Sequence, residues 1–152
     1  MGQARQAVER LVEVYDRHDP AQVVALYATG AKISRPGAPE LTPETLGQFY
    51  GGFVQAMPDF RHILHNVVEE GDRAAFECAI EATFTGSLPT PEGAVSGNGA
   101  HINFTHAQFI TIDEQGRIIE DRDYTDMAHL MSQIGMGAAQ QEPVGDEVEA
   151  HA

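Results

Sequence analysis

The sequence predicts an α+β fold: N-terminal helices packed on a curved, mainly antiparallel sheet that encloses a pocket. Three observations predict it. Apolar residues recur at helical spacing up to Met57. Period-two strand patterns then dominate from about residue 61 to 125. Tight-turn pairs, Gly71-Asp72 and Gln115-Gly116, punctuate that second half as hairpin signals. A block of helices followed by a block of strands gives helices segregated to one side of a sheet.

The elements follow in chain order. Residues 3–18 form a helix with Ala7, Leu11, Val14 and Tyr15 on one stripe. Asp19-Pro20 ends it and opens a second helix, 20–28, because proline suits a first helical turn. Gly30 stops that helix, and 31–35 is a short strand followed by the loop PGAP, 36–39. Thr42 caps a third helix with Pro43 at its first position, running to about Met57, with Gly47, Gly51 and Gly52 weakening it. Strands follow at about 61–69, 73–85, 101–112 and 117–125. Segment 86–100, GSLPTPEGAVSGNGA, reads as a long loop over a sheet end. A short helix from Asp126 to Ile134 closes the domain, 1–136, and the acidic tail 137–152 is expected to be mobile.

Bulk composition narrows the function. The 152 residues suit one domain with one core or one small-molecule cavity. With 23 acidic residues against 9 basic, the net charge of −14 disfavours nucleic acid and anionic membrane surfaces as partners. Cys78 is the only cysteine, so no intrachain disulfide can form, and its apolar surroundings predict a buried, inert thiol. No signal peptide or membrane-length apolar run is visible, which leads to the expectation of a cytoplasmic protein. The seven histidines show no tight metal-ligand spacing, and neither phosphate-binding glycine motifs nor a GxSxG elbow occurs. No metal and no cofactor are expected.

The candidate chemistry lies in Ile118–Thr125. Alternation sends Asp121 and Asp123 to one face and Arg122 to the other, where it pairs with Glu120 or a neighbouring strand. Asp123, enclosed, is the general-base candidate, with burial expected to raise its proton affinity. The alternative is a solvated or interface aspartate. Asp121, nearer the turn, reads as a rim or structural residue. On the preceding strand Phe104, His106 and Gln108 share a face. His106 is placed to orient Asp123 or share its proton, and Gln108 to bond a substrate carbonyl. Tyr15 is a candidate hydroxyl donor into the pocket. Tyr50, His62 and His65 are weaker candidates, and Phe104 is either core or pocket lining.

These residues also carry a resemblance. Tyr15-Asp16-Arg17-His18-Asp19-Pro20, Met57-Pro58-Asp59-Phe60, the hairpin Val67–Arg73, Ala82–Gly86, and Gly116–Glu120 followed by Asp123, Tyr124-Thr125-Asp126 and Gln133-Ile134-Gly135 form one set. Over about residues 5–136 the chain resembles the SnoaL-like polyketide cyclases of the NTF2-like, ketosteroid-isomerase-like superfamily. The resemblance implies a cone-shaped fold and an aspartate on the last strand as acid and base, supported by a histidine on its neighbour. Asp123 matches that aspartate. Gln108 falls near the histidine position, with His106 one same-face step away. The implied reaction is a cofactor-independent aldol ring closure on a hydrophobic substrate, in a homodimer paired through the outer sheet face near Glu77, Glu81, Glu120 and Arg122. Alternatives are a non-catalytic small-molecule binder and an isomerase, hydratase or epoxide hydrolase. The last requires Arg and Asp two apart on the penultimate strand, where this chain has His106 and Gln108.

Overall fold

A computed structural model describes residues 2–135. The elements are α1 (Gln3–Tyr15), α2 (Pro20–Val24), β1 (Tyr27–Ser34), α3 (Pro43–Ala56), β2 (Arg61–Glu70), β3 (Arg73–Phe84), β4 (Ser87–Thr90), β5 (Gly93–Ser96), β6 (Ala100–Ile112), β7 (Ile118–Thr125) and α4 (Met127–Gln133). Five strands form one sheet in the order β1-β7-β6-β3-β2. Its pairs are antiparallel except β1 with β7, which run parallel. The α+β architecture expected from the sequence is therefore present. The expected mobile tail, 137–152, lies outside the described residues.

Alternation builds the inner face. β3 turns Ala74, Phe76, Cys78, Ile80, Ala82 and Phe84 inward, and β6 turns Ile102, Phe104, His106, Gln108, Ile110 and Ile112 inward. Against this face α1 packs Ala4, Ala7, Val8, Leu11, Val14 and Tyr15. Thr42 and Thr45 close a reciprocal capping box on α3, with Pro43 in its first turn. The Gly71-Asp72 turn joins β2 to β3 in tight register, Glu70 opposite Arg73. Among the described residues no helix is long and apolar enough to cross a membrane.

Four local expectations are corrected. Helix α1 ends at Tyr15 rather than 18, because His18 takes a left-handed φ of 60° and its Nε2 meets the Phe60 carbonyl at 2.8 Å. Helix α2 stops at Val24, and β1 starts at Tyr27, since this segment joins β7. Gly30 is not a helix stop; at φ 81° it sits where the β1–β7 register shifts, a conformation glycine adopts without strain. Segment 86–100 is not a plain loop. It contains the β4–β5 hairpin, with Leu88 opposite Val95 and both packed on the core.

A fifth correction shapes the site. The β6–β7 register shifts between Thr111–Glu120 and Ile112–Ile118. One extra residue in β7 changes the phase of alternation, so Ile118 and Asp121 are both buried while Ile119 is exposed. Asp121 is consequently 0% exposed at the heart of the fold rather than at the rim.

Candidate active site

Two aspartates on β7 organise the site, and Arg35, just past the end of β1, links them. The Arg35 guanidinium grips Asp121 with both terminal nitrogens, Nη1 to Oδ1 at 2.9 Å and Nη2 to Oδ2 at 3.0 Å. Tyr27 donates its hydroxyl to Oδ2 at 2.6 Å, and Gln108 donates Nε2 to Oδ1 at 2.7 Å. Arg35 also donates to the Tyr15 hydroxyl at 3.1 Å, which lies 3.0 Å from that of Tyr27. Each Asp121 oxygen thus accepts two bonds, from partners that are themselves buried. Burial opposes the Arg35 charge, but Asp121 beside it more than compensates and holds it well above its usual range. Burial, reinforced by Asp121, pushes the Tyr27 hydroxyl well up, so it stays a donor.

Asp123 occupies a different environment. It lines an open cleft of about 410 Å³ with Ser34, Arg35, Pro36 and Tyr124–Asp126. Thr125 donates to its Oδ1 at 2.7 Å. Its Oδ2 faces His106 Nδ1 at 3.5 Å and Arg35 Nε at 3.9 Å. Burial pushes the Asp123 carboxyl up, but His106, Arg35 and Thr125 together pull it further down, below the usual aspartate range. This reverses the upward shift expected from enclosure alone: the flanking cation and donors outweigh desolvation. His106 is 4% exposed and, among the described residues, has no well-formed hydrogen bond at either ring nitrogen. The 3.5 Å approach to Asp123 is an ion-pair distance, long for a hydrogen bond.

The remaining candidates fall into distinct places. Gln108 is 3% exposed and its amide nitrogen is committed to Asp121, away from the cleft lining. Tyr15 belongs to the same hydrogen-bonded network, its hydroxyl pushed up chiefly by burial. Tyr50 donates to the Tyr15 backbone carbonyl and packs edge-on against its ring. Phe104 is core, opposite Ile80. His62 pairs with Asp16 at 2.7 Å, and His65 is exposed. Cys78 is fully buried, its thiol pushed up to about 12 by burial, with Asp16 adding to it. On the outer face Arg122 pairs with Glu120 at 3.0 Å, as alternation predicted.

Sequence reasoning missed Arg35 and Tyr27. Both bond Asp121 across long separations, 86 and 94 residues, and no local pattern encodes such partners. Tyr27 was hidden by an apolar run that reads as helix. The one available signal for Arg35 was an arginine directly after a short apolar strand, where a parallel partner would bring it beside β7.

This arrangement can hold a carboxylate beside an imidazole at a cleft, with a buried guanidinium near the carboxylate. It can accept a proton at Asp123 Oδ2 and hand it to, or take it from, His106. Comparisons with known proteins agree on the fold. The family model described as "SnoaL-like polyketide cyclase" matches residues 5–134. No curated protein matches. Among solved structures, AclR from Streptomyces galilaeus, a candidate hydroxylase, is similar with TM-score 0.75 and 17% identity, over 88% of this chain and 85% of that one. IdmH from Streptomyces antibioticus, a candidate polyketide cyclase, gives TM-score 0.74 and 20% identity, over 88% and 99%. An M. tuberculosis LEH-like epoxide hydrolase gives 0.66 and 17%, over 90% and 92%.

Proposed function

The chain belongs to the SnoaL-like polyketide cyclase family, and from that premise we propose that it is a cofactor-independent acid–base enzyme closing a ring by aldol addition on a hydrophobic, polyketide-like substrate. The observation that carries this reading is the cleft-lining Asp123, whose Oδ2 faces a buried His106 with no other polar partner among the described residues. In the first step Asp123 Oδ2 takes a proton from a carbon between carbonyls, and the C–H electron pair becomes an enolate. The enolate carbon attacks a second carbonyl of the same chain. Asp123 then returns its proton to the new alkoxide. His106 shares that proton while the ring closes.

The downward shift of Asp123 limits the substrate class. A carboxylate held below its usual range is a weak base, so it suits carbons already acidified by two carbonyls, such as β-ketoester and 1,3-diketone methylenes. Thr125 fixes Oδ1 and leaves Oδ2 facing His106. Positioning by the cleft contributes the remainder of the barrier lowering.

The test is deuterium uptake from D2O at the activated carbon of an aryl β-ketoester, followed by proton NMR. Wild-type protein should accelerate uptake, and Asp123→Asn should remove about 10²–10⁴ of that acceleration. Equal acceleration by the variant would sink the assignment. A hydrolase-type reading has one specific support: Arg35 lies between two carboxylates, Asp121 and Asp123, a cluster able to orient a water. Incorporation of labelled water oxygen into an epoxide probe, without uptake at the ketoester, would favour it. We also propose a homodimer through the outer sheet face, where Val68, Phe109 and Tyr124 are exposed beside Arg122 and Glu120. Light scattering at the monomer mass would refute it.

A further inference from the structure

A second carboxylate–imidazole pair lies across the same inner sheet face from the first. Asp16, just past α1, bonds His62 three ways: both carboxylate oxygens accept the His62 backbone N–H at 3.0 Å, and Oδ1 meets Nδ1 at 2.7 Å. The His62 side chain is 7% exposed, whereas Asp16 is 30% exposed. The His62 and His106 rings are 6.0 Å apart, nearly edge-on at 74°. Register explains the approach. His106 on β6 is opposite Cys78 on β3, and His62 on β2 is opposite Ile80. All four side chains share the inner face, and the small Cys78 leaves room for the two imidazoles to meet across β3.

We propose that Asp16, His62 and His106 form a proton relay that connects Asp123 to solvent when substrate fills the cleft. The inference rests on Asp123 being the general base. Its motive is access. Asp123 meets solvent through the cleft it lines, and a bound substrate closes that route. Among the described residues His106 has two buried nitrogens without a well-formed partner, one toward Asp123 and one left over. An imidazole takes a proton at one nitrogen and releases one from the other. The transfer is balanced as follows. Protonated Asp123 gives its proton to His106 Nδ1, and His106 releases one from Nε2 toward Nε2 of the neighbouring His62 ring, whose centroid lies 6.0 Å away. His62 releases its Nδ1 proton to Asp16, which passes it to solvent. The reverse run takes up a solvent proton at Asp16 and returns one proton to Asp123, and a turn of the His106 ring between the two runs replaces that proton by one that came from solvent. The other titratable groups facing the imidazoles are Tyr15, whose ring is 5.9 Å from that of His62, and Cys78; burial pushes both up and keeps them protonated near neutrality.

The test uses the same deuterium uptake at saturating aryl β-ketoester, where the front route is blocked. His62→Asn keeps a donor for Asp16 at the Nδ1 position but cannot relay. Asp16→Asn keeps the contact and loses the outlet. Each should lower kcat for uptake at least tenfold with KM unchanged, and millimolar imidazole should restore His62→Asn. Unchanged uptake in both variants would overturn the relay while leaving the Asp123 assignment intact. A loss that imidazole does not restore, with KM raised, would mark a packing role and overturn it equally. Absence of any acceleration by the wild type would overturn the base and the relay together.

Discussion

Asp121 and Asp123 stand two residues apart on one face of one strand, yet their surroundings divide them completely. Asp121 is 0% exposed and accepts bonds from Arg35, Tyr27 and Gln108, which occupy both oxygens. Asp123 has one close donor, Thr125, and faces a cleft and an imidazole with its other oxygen. The difference teaches that the number of fixed donors, not the residue type, separates a carboxylate committed to the fold from one with an oxygen left open at a cleft. A fully engaged carboxylate has no free lone pair directed at a substrate. It serves instead to hold Arg35 behind Asp123.

The largest way to sharpen this contrast is Asp121→Asn. It leaves the Arg35 charge buried without its partner, and breaking such a pair costs about 3–5 kcal/mol. Denaturant unfolding should report that loss; a cost under about 1 kcal/mol would mean Asp121 is not the anchor. Tyr27→Phe removes one of the four donors and should cost about 1–3 kcal/mol, with deuterium uptake reduced less than tenfold. Thr125→Val frees Asp123 Oδ1. The Asp123 carboxyl should then rise toward its usual range, read by carboxyl-carbon NMR, with stability changed by about 1 kcal/mol.

The pH dependence follows from the same inventory. The folded-state affinity of Asp123 for a proton is below its unfolded value. Its contribution is therefore present above about pH 4 and is lost as pH falls through the folded value. On the alkaline side Cys78 is raised to about 12, and Tyr15, Tyr27 and Tyr50 are raised above 10. Stability should hold to about pH 9 and fall above it, as the unfolded thiol and then the unfolded phenols ionise first. Urea midpoints measured between pH 2 and 11 check both limbs. A flat acid limb unaffected by Asp123→Asn would contradict the environment described for that residue.

Much of the fold was legible because its signals are local. The Thr42-Pro43 cap, the Gly71-Asp72 turn and the alternation of Phe76 to Phe84 each act within a few residues. The shared face of Asp121 and Asp123, and the opposite face of Arg122, also follow from strand geometry alone. What alternation could not supply was depth. The bulge near Ile119 is a pairing property of β6 with β7, and it decides that Asp121 is buried. Arg35 and Tyr27 were invisible for the same reason: β1 reaches them to Asp121 only because it pairs in parallel with β7. The direction of the Asp123 shift then depended on how closely His106 first, and Arg35 and Thr125 with it, approach the carboxylate. The β4–β5 hairpin escaped notice because Gly, Pro and Ser also dominate open loops.

The division of labour between the two aspartates is tested most directly by one sample of Asp123→Asn carrying two readouts, its unfolding free energy and its deuterium uptake. The account predicts stability within about 1 kcal/mol of wild type and uptake reduced by about 10²–10⁴. A variant destabilised by about 3–5 kcal/mol, with its uptake per folded molecule intact, would make Asp123 the structural carboxylate and contradict the account.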